Sequence, residues 1–308
     1  MLHRDSFYWA TVLALLMLVV FVNPPTHSAF LVVLHKSAHP VVFGIIALIS
    51  LELIRTTDEA RWINRYVGAL SVVVVSGAAT EIAQSWVGRD ASALDVVRDA
   101  IGGVAVLAIV SVRDGKAQRR GMRTWMIAIA ISASIGALAP LAWCVVAYGN
   151  RDLQFPTILQ YRSPLDLYFV KVWIGNVRGV ELPAQWASLP DEKGIEVNLQ
   201  FWKPGLRLFE TYPDWRGYDA LLLDVTNPNG TVVDLVVRVN AESPDYCDVQ
   251  FEVAATARVV LRIQLQDMGK AGSCPGFDDR HVAGMAVFTT RTISGGLLYV
   301  DRIWLGGV

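Results

Sequence analysis

The chain has 308 residues, of which 53% are hydrophobic and only 18% are charged. Soluble domains carry about 25% charged residues, so this composition excludes an ordinary soluble enzyme, and the high hydrophobicity excludes a disordered chain. The net charge of -1 and the pI of about 6.5 provide no overall field that would recruit nucleic acid. Three cysteines are too few for a disulfide-rich scaffold.

Long apolar stretches in the first half predict membrane-spanning helices. No Asp, Glu, Lys or Arg occurs from Ser6 to Leu34 or from Thr124 to Gly149. A span needs about 20 predominantly apolar residues, and three shorter runs between these two stretches reach that length if they include a few polar positions. The pattern predicts an α-helical transmembrane bundle of about five helices, at about residues 7–23, 38–55, 66–86, 96–113 and 124–148.

The basic residues favour a cytoplasmic N-terminus. In that orientation nine Lys and Arg residues lie in the internal segments and three lie in the external loops, in agreement with the positive-inside rule. Five crossings then place the C-terminal half in the periplasm or outside the cell. A cleaved signal peptide is the alternative for the first helix, but the following segment, Pro24–Ala29, is a poor cleavage site.

After residue 155 the hydrophobic pattern changes to a period of two, which is typical of β-strands. Short alternating runs separated by Gly, Pro and Asn clusters predict an all-β sandwich, with strands at about residues 167–173, 195–201, 218–225, 232–239, 249–254, 258–265, 284–290 and 297–305. We therefore expect a transmembrane domain at 1–149, a linker at 150–164 and an extracytoplasmic β-sandwich at 165–308.

Polar side chains within the apolar half are candidate functional residues, because an ionisable group in a bilayer requires a partner or a purpose. Glu81 and Gln84 share one face of the third helix, and Asp95 and Asp99 share one face of the fourth. With His39 at the predicted start of the second helix and Arg89 in the following loop, these residues predict a polar pocket that faces outward. The structural alternative is that Asp95 caps its helix, Asp99 complements the helix dipole, Arg89 pairs with a nearby carboxylate and His39 only begins its helix.

In order and spacing, these residues resemble the VanZ-like membrane family over about residues 8–115. The matching positions are Lys36, His39, Glu81, Gln84, Arg89, Asp95, Asp99 and Gly102. The family usually has Asn where this chain has Asp99, and often has Asp where it has His35. The resemblance implies a bacterial cell-envelope protein of the inner membrane, linked to glycopeptide antibiotic resistance, with a ligand-binding site formed by Lys36, His39, Glu81, Gln84, Arg89, Asp95 and Asp99.

The second half resembles galactose-binding-like jelly rolls, in particular family-11-like carbohydrate-binding modules. The resemblance rests on Trp215–Leu221, Asp224–Pro228, Val237–Asn240 and Leu298–Leu305. It implies that aromatic rings stack on sugars while polar groups bind hydroxyls, at Trp202, Tyr212, Arg238, Asp245 and Tyr246. Aromatic residues also anchor the cores of small sandwiches, which is the role expected of Trp215 and Trp304. Related jelly rolls often hold a structural calcium ion, for which Asp301 is an expected ligand.

The two cysteines of the external half, Cys247 and Cys274, are free to pair or to remain reduced, since an oxidising compartment permits a disulfide. The sequence contains no P-loop, no His-Glu-x-x-His motif and no Gly-x-Ser-x-Gly motif. This absence favours a binding protein over an enzyme.

The leading expectation is recognition of a lipid-linked or amphiphilic envelope glycan at the outer leaflet, with membrane lipid and an envelope saccharide as partners. One alternative is an enzyme that acts on such a molecule, with His39 and either Glu81 or Asp95 as its acid–base pair. Another is a purely anchored binding module.

Overall fold

The computed structural model describes residues 2–22, 28–54, 62–88, 91–115, 120–240, 246–268, 274 and 277–307. The chain divides into a helical unit, Met1–Cys144, and a β unit, Val145–Val308. Two of the predicted site residues, Arg89 and Asp245, lie outside the described residues.

The described part of the first half forms five long helices: α1 Leu2–Phe21, α2 Ala29–Leu53, α3 Trp62–Trp86, α4 Ala93–Arg113 and α5 Arg120–Gln154. Among the described residues, α2, α3 and α5 are long and apolar enough to cross a membrane, and the apolar part of α1 is shorter. The predicted helical half is therefore confirmed, with three membrane-capable helices where the sequence predicts about five.

Helix α2 begins nine residues earlier than predicted, at Ala29 in place of residue 38. Ser28 caps it, since its side chain accepts a hydrogen bond from the Leu31 amide. The apolar run of the sequence predicts a start near Pro40, but Pro40 lies inside α2, although proline usually interrupts a helix. His39 is therefore about 15 Å along the helix axis and not at its start.

Glycines allow α2 and α4 to pack closely. A Cβ atom at Gly102 would overlap the backbone of Pro40, and a Cβ atom at Gly44 would lie 2.7 Å from Cγ2 of Val106. Small residues at such positions permit close approach of membrane helices. The Gly102–Pro40 contact lies one turn from Asp99 on α4 and one residue from His39 on α2, so it brings these two side chains together.

Within its described residues, the second half contains eleven strands and a short α-helix, α6 Leu265–Met268. The strands are β1 Thr157–Gln160, β2 Val170–Ile174, β3 Val177–Glu181, β4 Lys193–Asn198, β5 Gly205–Phe209, β6 Ala220–Asn227, β7 Val233–Val239, β8 Cys247–Val253, β9 Ala257–Gln264, β10 Gly284–Thr289 and β11 Leu297–Gly306. All strand pairs are antiparallel. This confirms the predicted all-β sandwich.

The strands form two sheets. One has the order β3-β4-β11-β6-β9, with β1 also paired to β11, and the other has the order β2-β5-β10-β7-β8. Apolar side chains from both sheets form one core, which includes the fully buried residues Trp215, Leu206, Leu223, Met285 and Ile303. The inner face of each sheet forms this core, so the outer faces do not take part in it.

The predicted linker, 150–164, forms regular structure instead. Helix α5 continues to Gln154, and β1 pairs with β11. The Asp166 carboxylate accepts hydrogen bonds from the side-chain amides of Asn150, at 2.9 Å, and Gln154, at 2.6 Å. Pro156 suggested a break, and a strand of four residues is too short for alternation to be visible in the sequence.

Candidate functional site

The outer face of the five-stranded sheet carries a row of residues that crosses all five strands, with polar or charged side chains on four of them. The strand register aligns Lys171, Arg207, Ala286, Arg238 and Asp248 on β2, β5, β10, β7 and β8. Because successive strand residues point to opposite faces, their neighbours enter the core, among them Leu206, Leu208, Met285, Val287, Val237 and Val239. Four strand spacings of about 4.8 Å give this row a length of about 19 Å.

An aromatic surface lies beside this row. The rings of Trp173 and Phe288 are stacked almost parallel, at 8°, with centroids 5.5 Å apart. Phe288 is only 5% exposed, and Trp173 is half-buried against it. The guanidinium carbons of Arg207 and Arg238 lie 5.6 and 5.8 Å from the Trp173 ring centroid. The face thus offers the half-buried Trp173 ring, supported from below by the buried Phe288 ring, with planar cations next to it.

Two neighbours fix the orientation of Arg238. The Asp248 carboxylate accepts two hydrogen bonds from it, each of 2.7 Å, and the Tyr246 ring centroid lies 3.7 Å from its Cζ atom. The hydrogen bonds to Asp248 raise the pKa of Arg238 above its ordinary value. Arg238 is therefore a permanent, positioned cation on this face.

A groove of about 430 Å³ lies at one end of the same sheet. This volume is within the range of sites for small molecules. The Arg291 Nε atom lies 3.0 Å from an oxygen of Asp234 there. Most of the lining side chains are polar or charged: the groove is formed by Asp234, Leu235, Val236, Gln250, Phe251, Glu252, Thr290 and Arg291.

Of the predicted saccharide-binding residues, Arg238 and Tyr246 lie together on this face. Trp202 lies in the loop that precedes β5 and is 69% exposed. Tyr212 lies elsewhere, because its ring packs against Phe155 with centroids 4.1 Å apart. Its carbonyl also accepts a hydrogen bond from Nε1 of the core residue Trp215, at 2.8 Å, so Tyr212 supports the fold.

Trp304 is on the outer face of the six-stranded sheet and not in the core as expected. A register shift between Val300 and Arg302 on β11 reverses the alternation that the sequence suggests. Trp304 is half-buried there, with the Arg302 guanidinium 4.8 Å from its ring centroid.

Sequence reasoning missed Lys171, Trp173, Arg207 and Phe288. Strand β10 is buried along its whole length. Its sequence therefore has no alternation of polar and apolar residues that would place Phe288 on the outer face of the sheet. Trp173 and Lys171 lie at alternate positions of a predicted strand, and this spacing was the available signal.

In the helical unit, four of the predicted site residues form a buried polar cluster. His39, Glu81, Gln84 and Asp99 are each at most 5% exposed. His39 Nδ1 lies 3.4 Å from Asp99 Oδ1. The Ser92 amide donates a 2.6 Å hydrogen bond to Glu81 Oε2. The Gln84 side-chain amide donates a 3.1 Å hydrogen bond to the main-chain carbonyl of Val19 on α1.

The cluster is enclosed, so the expected outward pocket does not form among the described residues. Lys36 is exposed, and Asp95 pairs with Arg98 one turn along α4. The nearest described carboxylate to His39 is that of Asp99. Both side chains are buried, so no substrate could reach them. The geometry therefore gives no support to an acid–base pair of His39 with Asp95.

The surroundings of Asp301 do not fit a calcium ion. Asp301 accepts a 2.8 Å hydrogen bond from Thr226, and Nε of Arg258 lies 3.5 Å from it. The same guanidinium lies 2.7 Å from Glu192 and 2.8 Å from Asp224. The positive charge of Arg258 therefore balances these carboxylates in place of a metal ion. Across the described part of the chain, no group of three His, Cys, Asp or Glu residues could hold a metal ion.

Cys247 and Cys274 form a disulfide, and Cys144 is a free, buried cysteine. Cys247 is the first residue of β8 and directly follows Tyr246. The disulfide therefore fixes the strand end beside the Arg238–Tyr246 contact.

No protein-family model matches the chain, and no curated protein matches it. The comparisons therefore do not support the VanZ-like resemblance or the link to antibiotic resistance.

Solved structures are similar to about half of the chain. An exo-beta-agarase is 10% identical over 49% of this chain and 25% of its own, with a TM-score of 0.40, so the chain spans a quarter of that enzyme. A family 11 carbohydrate-binding module from Clostridium thermocellum, in complex with a beta-1,3-1,4-mixed-linked tetrasaccharide, is 10% identical over 49% and 95% of the two chains, with a TM-score of 0.37. A module in complex with beta-1,4-galactotriose is 12% identical over 45% of this chain and 87% of its own, with a TM-score of 0.31. At these identities the similarity concerns the fold.

Proposed function

We propose that the chain is a membrane protein that binds a saccharide on the outer face of its five-stranded sheet. The observation that carries this proposal is the Trp173–Phe288 stack with Arg207 and Arg238 beside it. A sugar ring has apolar C–H faces and a rim of hydroxyl groups. Aromatic rings bind the faces, and positioned charged groups such as Arg238 and Asp248 bind the hydroxyls.

The dimensions of the face favour an oligosaccharide over a single sugar. The row from Lys171 to Asp248 is about 19 Å long, and the groove of about 430 Å³ continues the polar surface at one end of the sheet. A chain of sugar units can contact the stack, the arginines and the groove together.

Membrane attachment is supported by the surface of α5. Its membrane-length window is only 6% buried, with a mean hydropathy of 2.0. Trp125, Ile131 and Ile135 are 71, 55 and 63% exposed. An apolar surface of this extent is unusual in contact with water and is expected where a helix contacts lipid.

We further propose that α1 and α4 cross a bacterial inner membrane together with the membrane-capable helices α2, α3 and α5, which gives a cytoplasmic N-terminus and an external β unit. The distribution of Lys and Arg supports this orientation. The Cys247–Cys274 disulfide supports an oxidising compartment for the β unit. The ligand in this setting is an envelope glycan, either lipid-linked or close to the bilayer, because tethering through α5 raises the effective concentration of the binding domain there.

The test is binding of the full chain, in lipid nanodiscs, to an array of soluble and lipid-linked oligosaccharides. We expect binding to a subset of oligosaccharides of several units, with weaker binding to the component monosaccharides. A folded chain that binds none of these saccharides would contradict the proposal.

A further inference from the structure

An apolar groove of about 400 Å³ lies among helices α3, α4 and α5 of the helical unit. Its walls are formed by side chains from residues 62–70 of α3, 104–111 of α4 and 122–129 of α5. The lining side chains are aliphatic or aromatic apart from Ser111, whose hydroxyl group donates a 2.8 Å hydrogen bond to the Ala108 carbonyl. The volume is within the range of sites for small molecules, and the lining offers contacts to hydrocarbon.

The groove extends over one leaflet of a bilayer and not over its whole thickness. Each wall covers seven or eight helical steps, or about 10–12 Å, whereas the hydrocarbon core of a bilayer is about 30 Å thick. Beyond Leu70 and Val104 the two helices pack directly, since a Cβ atom at Gly103 would lie 3.1 Å from Cγ1 of Val73. A transmembrane helix of a partner would need a groove along the whole span, so the shape favours an acyl chain from one leaflet.

The side chains of the walls also favour a lipid chain over a helix. Small residues allow membrane helices to approach each other closely, but in this lining they are limited to Ala108 and Ser111. Met122 and Met126 are half-buried on the α5 wall, and the flexible methionine side chain adapts to irregular apolar partners. The membrane-length window of α5 is only 6% buried, so α5 leaves the groove open to lipid.

Tryptophans mark the polar end of the groove. Trp62 lines the groove at the start of α3, and Trp125, near the start of α5, is 71% exposed. Because tryptophan is enriched where a membrane meets water, this end of the groove lies at the interface. The end at Leu70 therefore lies toward the centre of the bilayer.

Two arginines at the interface end indicate the charge of the headgroup. Arg113 is in the last turn of α4, Arg123 is near the start of α5, and both are exposed. Asp114 follows Arg113, so these three side chains carry a net charge of +1. Arg65 is directed to α2, where its Nε atom donates a 2.7 Å hydrogen bond to the Leu51 carbonyl. The proposed orientation places this end in the cytoplasm, and basic residues on that side attract anionic lipids.

We propose that the groove binds one acyl chain of an anionic phospholipid, with the headgroup phosphate at Arg113 and Arg123. The chain fills the space that α5 leaves beside α3 and α4, and the arginines bind the phosphate through charge-assisted hydrogen bonds. Both the groove and the arginines belong to the helical unit. The site is therefore independent of saccharide binding, and a chain that binds no saccharide would leave this proposal unaffected.

The test uses native mass spectrometry to count the lipids that the full chain retains in detergent. The probes are phosphatidylglycerol and phosphatidylcholine with identical acyl chains. We expect one phosphatidylglycerol per chain, bound at least tenfold more tightly than phosphatidylcholine. Ala108→Phe places a ring in the groove and should lower the phosphatidylglycerol affinity at least tenfold. The matched control Ala128→Phe adds the same ring at an exposed position of α5 and should retain wild-type affinity.

Arg113→Gln with Arg123→Gln should abolish the preference for phosphatidylglycerol. Both arginines are exposed, so this variant tests the proposal even if Ala108→Phe does not fold. Its control is Lys36→Gln with Arg98→Gln, which removes two positive charges in the opposite halves of α2 and α4 and should keep the preference. Equal affinities of the wild type for the two lipids, or wild-type affinity of a folded Ala108→Phe, would overturn the proposal.

Discussion

The Arg238 guanidinium lies over the Tyr246 ring, with its carbon 3.7 Å from the ring centroid. Tyr246 is 45% exposed, so this contact lies at the solvent boundary of the five-stranded sheet. Asp248 holds the guanidinium from the adjacent strand, and the disulfide at Cys247 fixes the strand end. The contact is thus positioned before any ligand arrives, which lowers the entropy cost of binding.

Asp248→Asn is expected to weaken saccharide binding about tenfold, or about 1.4 kcal/mol, because Arg238 loses one of the two hydrogen bonds that fix its orientation. Isothermal titration calorimetry of the full chain in nanodiscs measures this change. Asp214→Asn is the matched control, since Asp214 forms a similar pair with Arg216 outside this face. Equal affinities of Asp248→Asn and wild type would show that the Arg238 geometry is not used.

Removal of the disulfide by Cys247→Ala with Cys274→Ala is expected to lower the free energy of unfolding by about 3.5 kcal/mol. The bond closes a loop with a sequence separation of 27, and loop-closure entropy gives this magnitude. Denaturant unfolding followed by tryptophan fluorescence measures it. Cys144→Ala removes a free cysteine and keeps the disulfide, so its stability should match that of the wild type and should fall in the same way when reducing agent is added. If reduction leaves the wild-type midpoint unchanged, the disulfide does not stabilise the β unit.

Asp301 predicts a pH dependence of stability. Burial raises the pKa of Asp301 to about 7, against the Thr226 hydrogen bond and the Arg258 charge, which lower it. In the unfolded chain an aspartate has a pKa of about 4, so between about pH 4 and 7 the folded state binds more protons. The free energy of unfolding therefore falls as the pH rises through this window, by at most about 1.4 kcal/mol per pH unit.

Asp301→Asn should remove that dependence, because the amide does not titrate and still accepts from Thr226. Unfolding midpoints of both proteins across the pH range provide the measurement. Parallel curves for wild type and variant would show that Asp301 has an ordinary pKa in the fold.

Gly102→Ala is expected to destabilise the helical unit by about 2 kcal/mol, a typical cost of overpacking, because the added Cβ atom meets the Pro40 backbone. Thermal unfolding followed by helical circular dichroism measures this loss. Gly136→Ala is the matched control, since nothing lies within 4 Å of the added atom on α5. A Gly102→Ala variant as stable as Gly136→Ala would contradict the close packing of α2 on α4.

The sequence predicts elements well where one physical signal dominates. Uninterrupted apolar runs identify the long helices, and alternation between turn clusters identifies most strands. The Glu81 and Gln84 spacing also places both residues on one face, and both belong to the buried cluster.

Features that depend on contacts between distant residues were not predictable. The apolar run indicates a start of α2 near Pro40, but the helix contains Pro40, which Gly102 on another helix accommodates. Trp304 was assigned to the core because the β11 register shift is invisible in the sequence. The stack of Trp173 on Phe288 joins strands far apart in the chain, so no local pattern indicates it.

The central claim is that the outer face of the five-stranded sheet binds the saccharide. The most direct measurement compares oligosaccharide affinities of Trp173→Ala and Trp304→Ala in the full chain. Both tryptophans are half-buried on outer sheet faces with an arginine next to the ring, but they belong to opposite sheets. We predict at least a tenfold loss of affinity for Trp173→Ala and wild-type affinity for Trp304→Ala. Wild-type affinity of Trp173→Ala, or a loss found only in Trp304→Ala, would contradict the account.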